Sequence, residues 1–196
     1  MTHKKYPDKA KEPPMTYDQY ADLPDDGMRY ELADGVLQAI SPSPHPVHQL
    51  LSQYLSKLLI QSCQNDYITL IAPIDVILSE HEVRQPDLVM IHKTRLKIVT
   101  GKGVEGSPDL AVEVLSPSSV KRDRMEKMET YAKYGIAEYW LVDPVQKALE
   151  QYTLNGKHYD LKEIYQEDET VTSPRVQCVS FSMNDILSDI PDLPNA

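Results

Sequence analysis

The stretch from Pro108 to Ser118 constrains this chain more than any other. Its residues Leu110, Ala111, Val112, Val114 and Leu115 place apolar side chains on both faces of an extended segment. That is the pattern of a strand covered on both sides of a sheet. Glu113 stands in the middle of it. A lone carboxylate in an apolar layer is costly, so such a group neutralises, pairs or binds a cation. From these residues alone three accounts stay open: an edge strand with Glu113 in water, a structural pair with an Arg or Lys, or a functional site.

The surrounding pattern alternates strands and helices. Thr16 is placed to cap a short helix over Tyr17 to Leu23, and Asp34-Gly35 between Met28–Leu32 and Val36–Ile40 signals a hairpin carrying Glu31. Ser41 to Pro44 reads as a turn. Val47, Leu50, Leu51, Tyr54, Leu55, Leu58 and Leu59 recur at helical spacing, which predicts a helix from about Pro46 to Gln64. His48 falls in its first turn and reads as a surface or capping residue. The β-branched run Tyr67 to Leu78 is interrupted by Pro73, giving two strands or one bent strand, with Asp75 beside the break as a weaker carboxylate candidate. Ser79 to Gln85 reads as a polar turn, and Pro86 to Ile91 as a buried strand entered at Asp87. Residues 93–107, with Gly101, Gly103 and Gly106, read as a mobile polar loop.

After the Glu113 strand, Ser118 or Ser119 caps a helix running to about Tyr134 and stopped by Gly135. Its apolar face is read as Met125, Met128 and Ala132, with Lys127, Tyr131 and Tyr134 on an adjacent face. Ala137 to Asp143 is a further buried strand, Asn155-Gly156 turns a second hairpin, and Val176 to Ile190 offers one more strand and a short helix. The expected fold class is therefore mixed α/β (α+β), a central mixed sheet flanked by helices with an N-terminal hairpin. The domain is expected to span residues 15–190, between a disordered tail at 1–14 and a short tail at 191–196.

At 196 residues the chain suits one domain with a real core. Its net charge of −10 argues against a surface coated for non-specific nucleic-acid binding, though not against a local basic groove or a metal-centred site. No apolar run is long enough to span a bilayer, and the N-terminal residues do not resemble a secretory signal. Cys63 and Cys178 lack C-x-x-C spacing, so neither a zinc site nor a disulfide framework is expected, and a cytoplasmic location fits.

A length count links Glu113 to a lysine. The strand climbs ~13 Å from Glu113 to Pro117, at ~3.3 Å per residue. From Ser119 to Lys127 a helix returns ~12 Å, at ~1.5 Å per residue. A tight connection with antiparallel packing brings the Lys127 ammonium back to the level of Glu113. The plainer account pairs Lys127 with Asp123 one turn earlier on a solvated face. Two carboxylates on adjacent strands, a third on a hairpin and one lysine are the groups that phosphodiester hydrolysis needs. Mg²⁺ takes oxygen ligands, activates water and shields phosphate charge, and a lysine orients the water or stabilises developing charge.

Several motifs together resemble the Uma family: Arg29 to Gly35, Gln85 to Val89, Glu113 to Ser118, Asp123 with Lys127 and Tyr131, and Glu138 to Pro144. This is a mostly bacterial family of endonucleases with the restriction-endonuclease-like fold, and the resemblance runs in order over residues 15–190. It implies a PD-(D/E)xK-type core in which Glu31 is the early acidic position, Asp87 the Asp of the "PD" element and Glu113 the second carboxylate. The usual lysine position, two residues after that carboxylate, is Leu115 here, so the resemblance implies that Lys127 supplies the ammonium from the following helix. It further implies Mg²⁺ or Mn²⁺ held by Asp87, Glu113 and the Val114 carbonyl, with Glu31 completing the shell. DNA is the expected substrate and a homodimer the expected state, with no membrane partner. Two rivals remain: a catalytically inactive nuclease-fold domain acting in binding or assembly, and a nuclease of RNA or branched DNA.

Overall fold

The computed structural model describes residues 13–40 and 45–191. The turn expected at Ser41 to Pro44, most of the N-terminal tail and the last residues lie outside them. The elements are α1 (Tyr17–Ala21), β1 (Arg29–Ala33), β2 (Val36–Ile40), α2 (Pro46–Cys63), β3 (Tyr67–Ile71), β4 (Val76–Ser79), β5 (Glu82–Arg84), β6 (Leu88–His92), β7 (Val99–Thr100), β8 (Gly103–Glu105), β9 (Leu110–Val114), α3 (Met128–Lys133), β10 (Glu138–Asp143), β11 (Ala148–Asn155), β12 (His158–Gln166), β13 (Thr170–Val171), β14 (Phe181–Ser182) and α4 (Met183–Leu187). A 3-10 turn at Lys93–Ile98 follows β6, and a π-helical stretch at Arg122–Lys127 leads into α3.

The strands form two six-stranded sheets, ordered β2-β1-β5-β4-β8-β7 and β12-β11-β10-β9-β6-β3, with β13 and β14 pairing separately. In the second sheet β9 lies between β6, antiparallel, and β10, parallel. It is a central strand, so the edge-strand account of Glu113 fails. Side chains alternate across this sheet, as strand geometry requires. Leu88, Met90, Leu110, Val112, Trp140 and Val142 face Leu51, Leu55 and Leu59 of α2, while Val89, Ile91, Ala111, Leu115, Tyr139 and Leu141 join Tyr131 and residues of the first sheet in a second core. Glu113 has the parity of Ala111 and Leu115, which directs it into that second layer.

The hairpin forms as expected, with Asp34 (φ 46°) and Gly35 (φ 75°) both in the left-handed region that a tight two-residue turn demands. Four expectations need correction. Residues 82–84 are not turn: β5 pairs with both β1 and β4, and its polar side chains are buried because Arg84 Nε bonds Glu82 Oε1 at 2.6 Å. Residues 93–107 are not a loose loop, since they hold the 3-10 turn, β7 and β8, tied to β4 by Val104 N donating to Asp75 O at 2.8 Å.

The helix after β9 does not bury Met125, which is 56% exposed; it buries Lys127 and Tyr131, which both donate to Glu113, and Asp123, which lies near Lys127 and Arg122. Finally, Cys63 and Cys178 form a disulfide with Cα atoms 5.2 Å apart, although 115 residues separate them. Spacing along the chain says nothing about this approach, which follows from α2 packing against the segment before β14. Disulfides are rare in the cytosol, so the cysteines no longer argue for a cytoplasmic location. No helix among the described residues is long and apolar enough to cross a membrane.

Candidate active site

Asp87 and Glu113 meet at one end of the second sheet. β6 and β9 run antiparallel with Leu88 opposite Val112. One step further along the same register places Asp87 opposite Glu113. The Val114 amide closes this end of the ladder by donating to Asp87 Oδ2 at 2.7 Å. Glu31 arrives from the other sheet, on β1, and is held by the Gln85 amide at 2.8 Å and by Arg84, whose Nη1 lies 3.5 Å from Oε2. Glu31, Glu113, Asp123 and Lys127 are all at most 3% exposed.

Lys127 sits among these carboxylates. Its Nζ is 2.7 Å from Glu113 Oε1, 3.2 Å from Glu31 Oε1, 3.8 Å from Asp123 Oδ1 and 3.5 Å from the Gln85 carbonyl. The pairing with Asp123 exists, but on a buried face and at the longest of the three separations. Helical hydrogen bonding widens here into the π-helical stretch that carries Arg122, Asp123 and Lys127. Such local widening recurs at functional sites.

The electrostatics follow from burial and from who donates to whom. Burial lifts the Glu113 carboxyl well above its ordinary value; Lys127 pulls it back only in part, while Asp123, Asp87 and Glu31 push it further up. Burial would also lift Glu31, yet Lys127, the Gln85 amide and Arg84 together leave it below the usual range. The difference is the donor count: Glu31 is served by a backbone amide and two cations. Burial alone would lower Lys127, but Glu113, Glu31 and Asp123 raise it, so it stays an ammonium. It is a donor here and not a base. Asp123 is raised by its own burial against the pull of Lys127, Ser119 and Arg122.

A cavity of about 500 Å³ opens over this cluster, with Asp87, Glu113, Val114, Asp123 and Lys127 in its wall beside Arg29, Arg122, His48 and Ser118. Asp87 and Glu113 each have one carboxylate oxygen engaged. Asp87 Oδ2 takes the Val114 amide and His48 Nε2, the latter at 3.1 Å. Glu113 Oε1 takes Lys127 and the Tyr131 hydroxyl, at 2.7 and 2.8 Å. Among the described residues no donor reaches Asp87 Oδ1 or Glu113 Oε2.

Of the residues singled out in the sequence, Glu31, Asp87, Glu113, Val114 and Lys127 therefore converge. Asp75 does not join them: it bonds Gln85 Nε2 at 2.8 Å and Tyr20 at 3.2 Å, on the far side of Gln85. Sequence reasoning passed over Arg84, which lay in a presumed turn, took Gln85 only as part of a family motif, and read His48 as a surface or capping residue, because a histidine in a first helical turn carries no distinguishing signal. His48 is only 12% exposed at its side chain; burial would lower its pKa, but Asp87 and the Val114 backbone raise it.

Comparison with known proteins gives the family and the fold. The model of the Uma2 family, described as "Putative restriction endonuclease", matches residues 17–184. The chain belongs to this family. Among solved structures, the Uma2 fold seen here is similar to a protein described as a "putative nuclease belonging to DUF820" from Anabaena variabilis ATCC 29413. The TM-score is 0.73 at 20% identity, covering 89% of this chain and 98% of that one. At that identity the likeness speaks for the fold, which is the mixed α+β architecture expected from the sequence. No curated protein matches the chain.

Proposed function

We propose that this Uma2 chain is a divalent-cation-dependent endonuclease that hydrolyses phosphodiester bonds, with DNA as substrate. One observation carries the reading: Asp87, at the start of β6, and Glu113 on β9 line one cavity beside Lys127, whose ammonium also pairs with the buried Glu31 from the other sheet.

The residues fit Mg²⁺ or Mn²⁺. The donor set is hard oxygen, and the two carboxylate oxygens without a protein donor belong to Asp87 and Glu113. Among the described residues no three His, Cys, Asp or Glu side chains form a ready-made cage. That suits an ion which keeps several waters and takes one or two carboxylates besides phosphate oxygens. Asp87 Oδ1, Glu113 Oε2 and the Val114 carbonyl would hold it. When bound, the cation supplies charge neutralisation at phosphorus and a more acidic water.

The chain's own groups do the rest. Lys127, kept charged by its carboxylate neighbours, donates a hydrogen bond that orients the attacking water and stabilises charge on the phosphoryl oxygens. Glu31 is assigned a positioning role through Lys127, in place of direct completion of the cation shell, because its Oε1 already takes the Gln85 amide and faces the ammonium. Arg29 and Arg122, on the cavity wall, offer the local positive charge that an acidic protein needs to admit a polyanion. Two copies, one for each strand of a duplex, complete the reading.

The test is cleavage of a panel of duplex, single-stranded and branched DNA and of RNA, with Mg²⁺ or Mn²⁺. Cation-dependent cleavage should vanish in Asp87→Ala and Glu113→Ala. Cleavage that persists in both variants rejects the assignment. A second reading, a non-catalytic domain on the same fold, draws on the complete ion pairing of Lys127 within the protein and on the net charge of −10. It is the reading to adopt if calorimetry detects no cation binding.

A further inference from the structure

We propose that His48 is a positioning residue of the cation site. It locks the Asp87 carboxylate by one oxygen so that the other is presented to the cavity. This role rests on the nuclease reading above.

The geometry is specific. His48 stands in the first turn of α2, and its Nε2 lies 3.1 Å from Asp87 Oδ2, the oxygen that also receives the Val114 amide at 2.7 Å. Two donors from different elements, one on a helix and one on β9, thus grip the same oxygen. A carboxylate held by one donor still rotates about its own axis, whereas one held from two directions does not. Oδ1 has no donor among the described residues, and Asp87 lines the cavity. The partner carboxylate repeats the arrangement, with Glu113 Oε1 gripped by Lys127 and Tyr131.

His48 is not itself placed to ligate. Its Nε2 is engaged by Asp87, and its Nδ1 is buried with no hydrogen-bond partner among the described residues. That orphaned nitrogen also argues against a purely structural role. His48 lies next to the apolar stripe of α2, where Val47 and Leu51 pack into the core. A leucine there would fill similar space without burying an unpartnered polar atom, which carries a free-energy cost. The imidazole is explained by its bond to Asp87. Outer groups that orient a ligating side chain in this way commonly govern cation affinity.

The experiment is calorimetric titration of the full chain with Mn²⁺, for the wild type, His48→Leu and His48→Gln, alongside cation-free thermal melting. The Gln amide keeps a donor near the Nε2 position, and Leu removes it. His48→Leu should weaken Mn²⁺ binding by about 10- to 100-fold, and His48→Gln should recover most of that loss. The cation-free melting temperature of His48→Leu should equal or exceed that of the wild type. Equal Mn²⁺ affinity in wild type and His48→Leu overturns the role. So does a loss of affinity matched by a loss of melting temperature and not restored by Gln. A wild type that binds no Mn²⁺ overturns the cation site itself and this role with it, an outcome told apart from the others by the wild-type titration alone.

Discussion

Lys127 Nζ and Glu113 Oε1 lie 2.7 Å apart in a layer where each side chain is at most 4% exposed, although the two residues sit on different elements 14 positions apart. A buried ion pair of this kind is weak evidence for stability, since desolvation of both charges offsets their attraction. Its cost is best understood through what it does for the site, and the variants below separate the two.

Lys127→Met removes the ammonium and leaves Glu31, Glu113 and Asp123 without their shared cation. Breaking one side of a buried pair should cost about 3–5 kcal/mol of stability. Cleavage should fall by about 10²–10³-fold in kcat, the scale of losing one electrostatic donor. Urea unfolding with single-turnover cleavage measures both. A variant that keeps its activity removes Lys127 from the reaction.

Glu113→Gln should separate folding from cation binding. Its carboxyl is pushed up by burial and by neighbouring carboxylates, so the neutral amide relieves that desolvation, and Lys127 keeps Glu31 and Asp123 as partners; the loss of stability should therefore be smaller than in Lys127→Met. Cation binding should be lost. In a melting experiment the wild type should gain about 2.7 kcal/mol when Mn²⁺ stands at 100 times its Kd, and Glu113→Gln should gain nothing.

Glu150 gives a pH signature away from the cavity. Arg124 forms a two-pronged pair with it, both contacts at 2.7 Å. The Arg124 hydrogen bond, aided by Tyr152, holds the Glu150 carboxyl below its ordinary 4.5. A depressed folded-state pKa stabilises the protein above the unfolded value, and that contribution disappears as pH falls through the folded pKa. The melting-temperature difference between wild type and Glu150→Gln should therefore be present at neutral pH and shrink below about 4.5. Its size is limited by the partial exposure of the pair. A difference that grows on acidification contradicts the assignment.

Gly103 tests the strand pairing that replaced the expected loop. It has φ 137°, and a Cβ there would run into the backbone carbonyl of Asp75, the residue just before β4. Gly103→Ala should destabilise the protein by about 1–3 kcal/mol through backbone strain, read by urea unfolding. Gly101→Ala, whose Cβ would meet nothing, is the control.

What could be read along the chain was whatever depends on near neighbours. The alternation around Glu113, the Asp34-Gly35 turn and the leucine stripe of α2 each specify an element locally, because strand and helix periods act over a few residues. The family motifs add the order of Glu31, Asp87, Glu113 and Lys127. The tertiary structure decided what those elements bring together. It brought Asp87 beside Glu113, made Arg84 part of a buried strand, set the Gln85 amide on Glu31, turned His48 toward Asp87 and joined Cys63 to Cys178. It also turned Met125 outward and widened the inward face of that helix to take in Lys127, because a carboxylate on a neighbouring strand gives a buried ammonium a partner, and no periodicity along one helix reports what stands across from it.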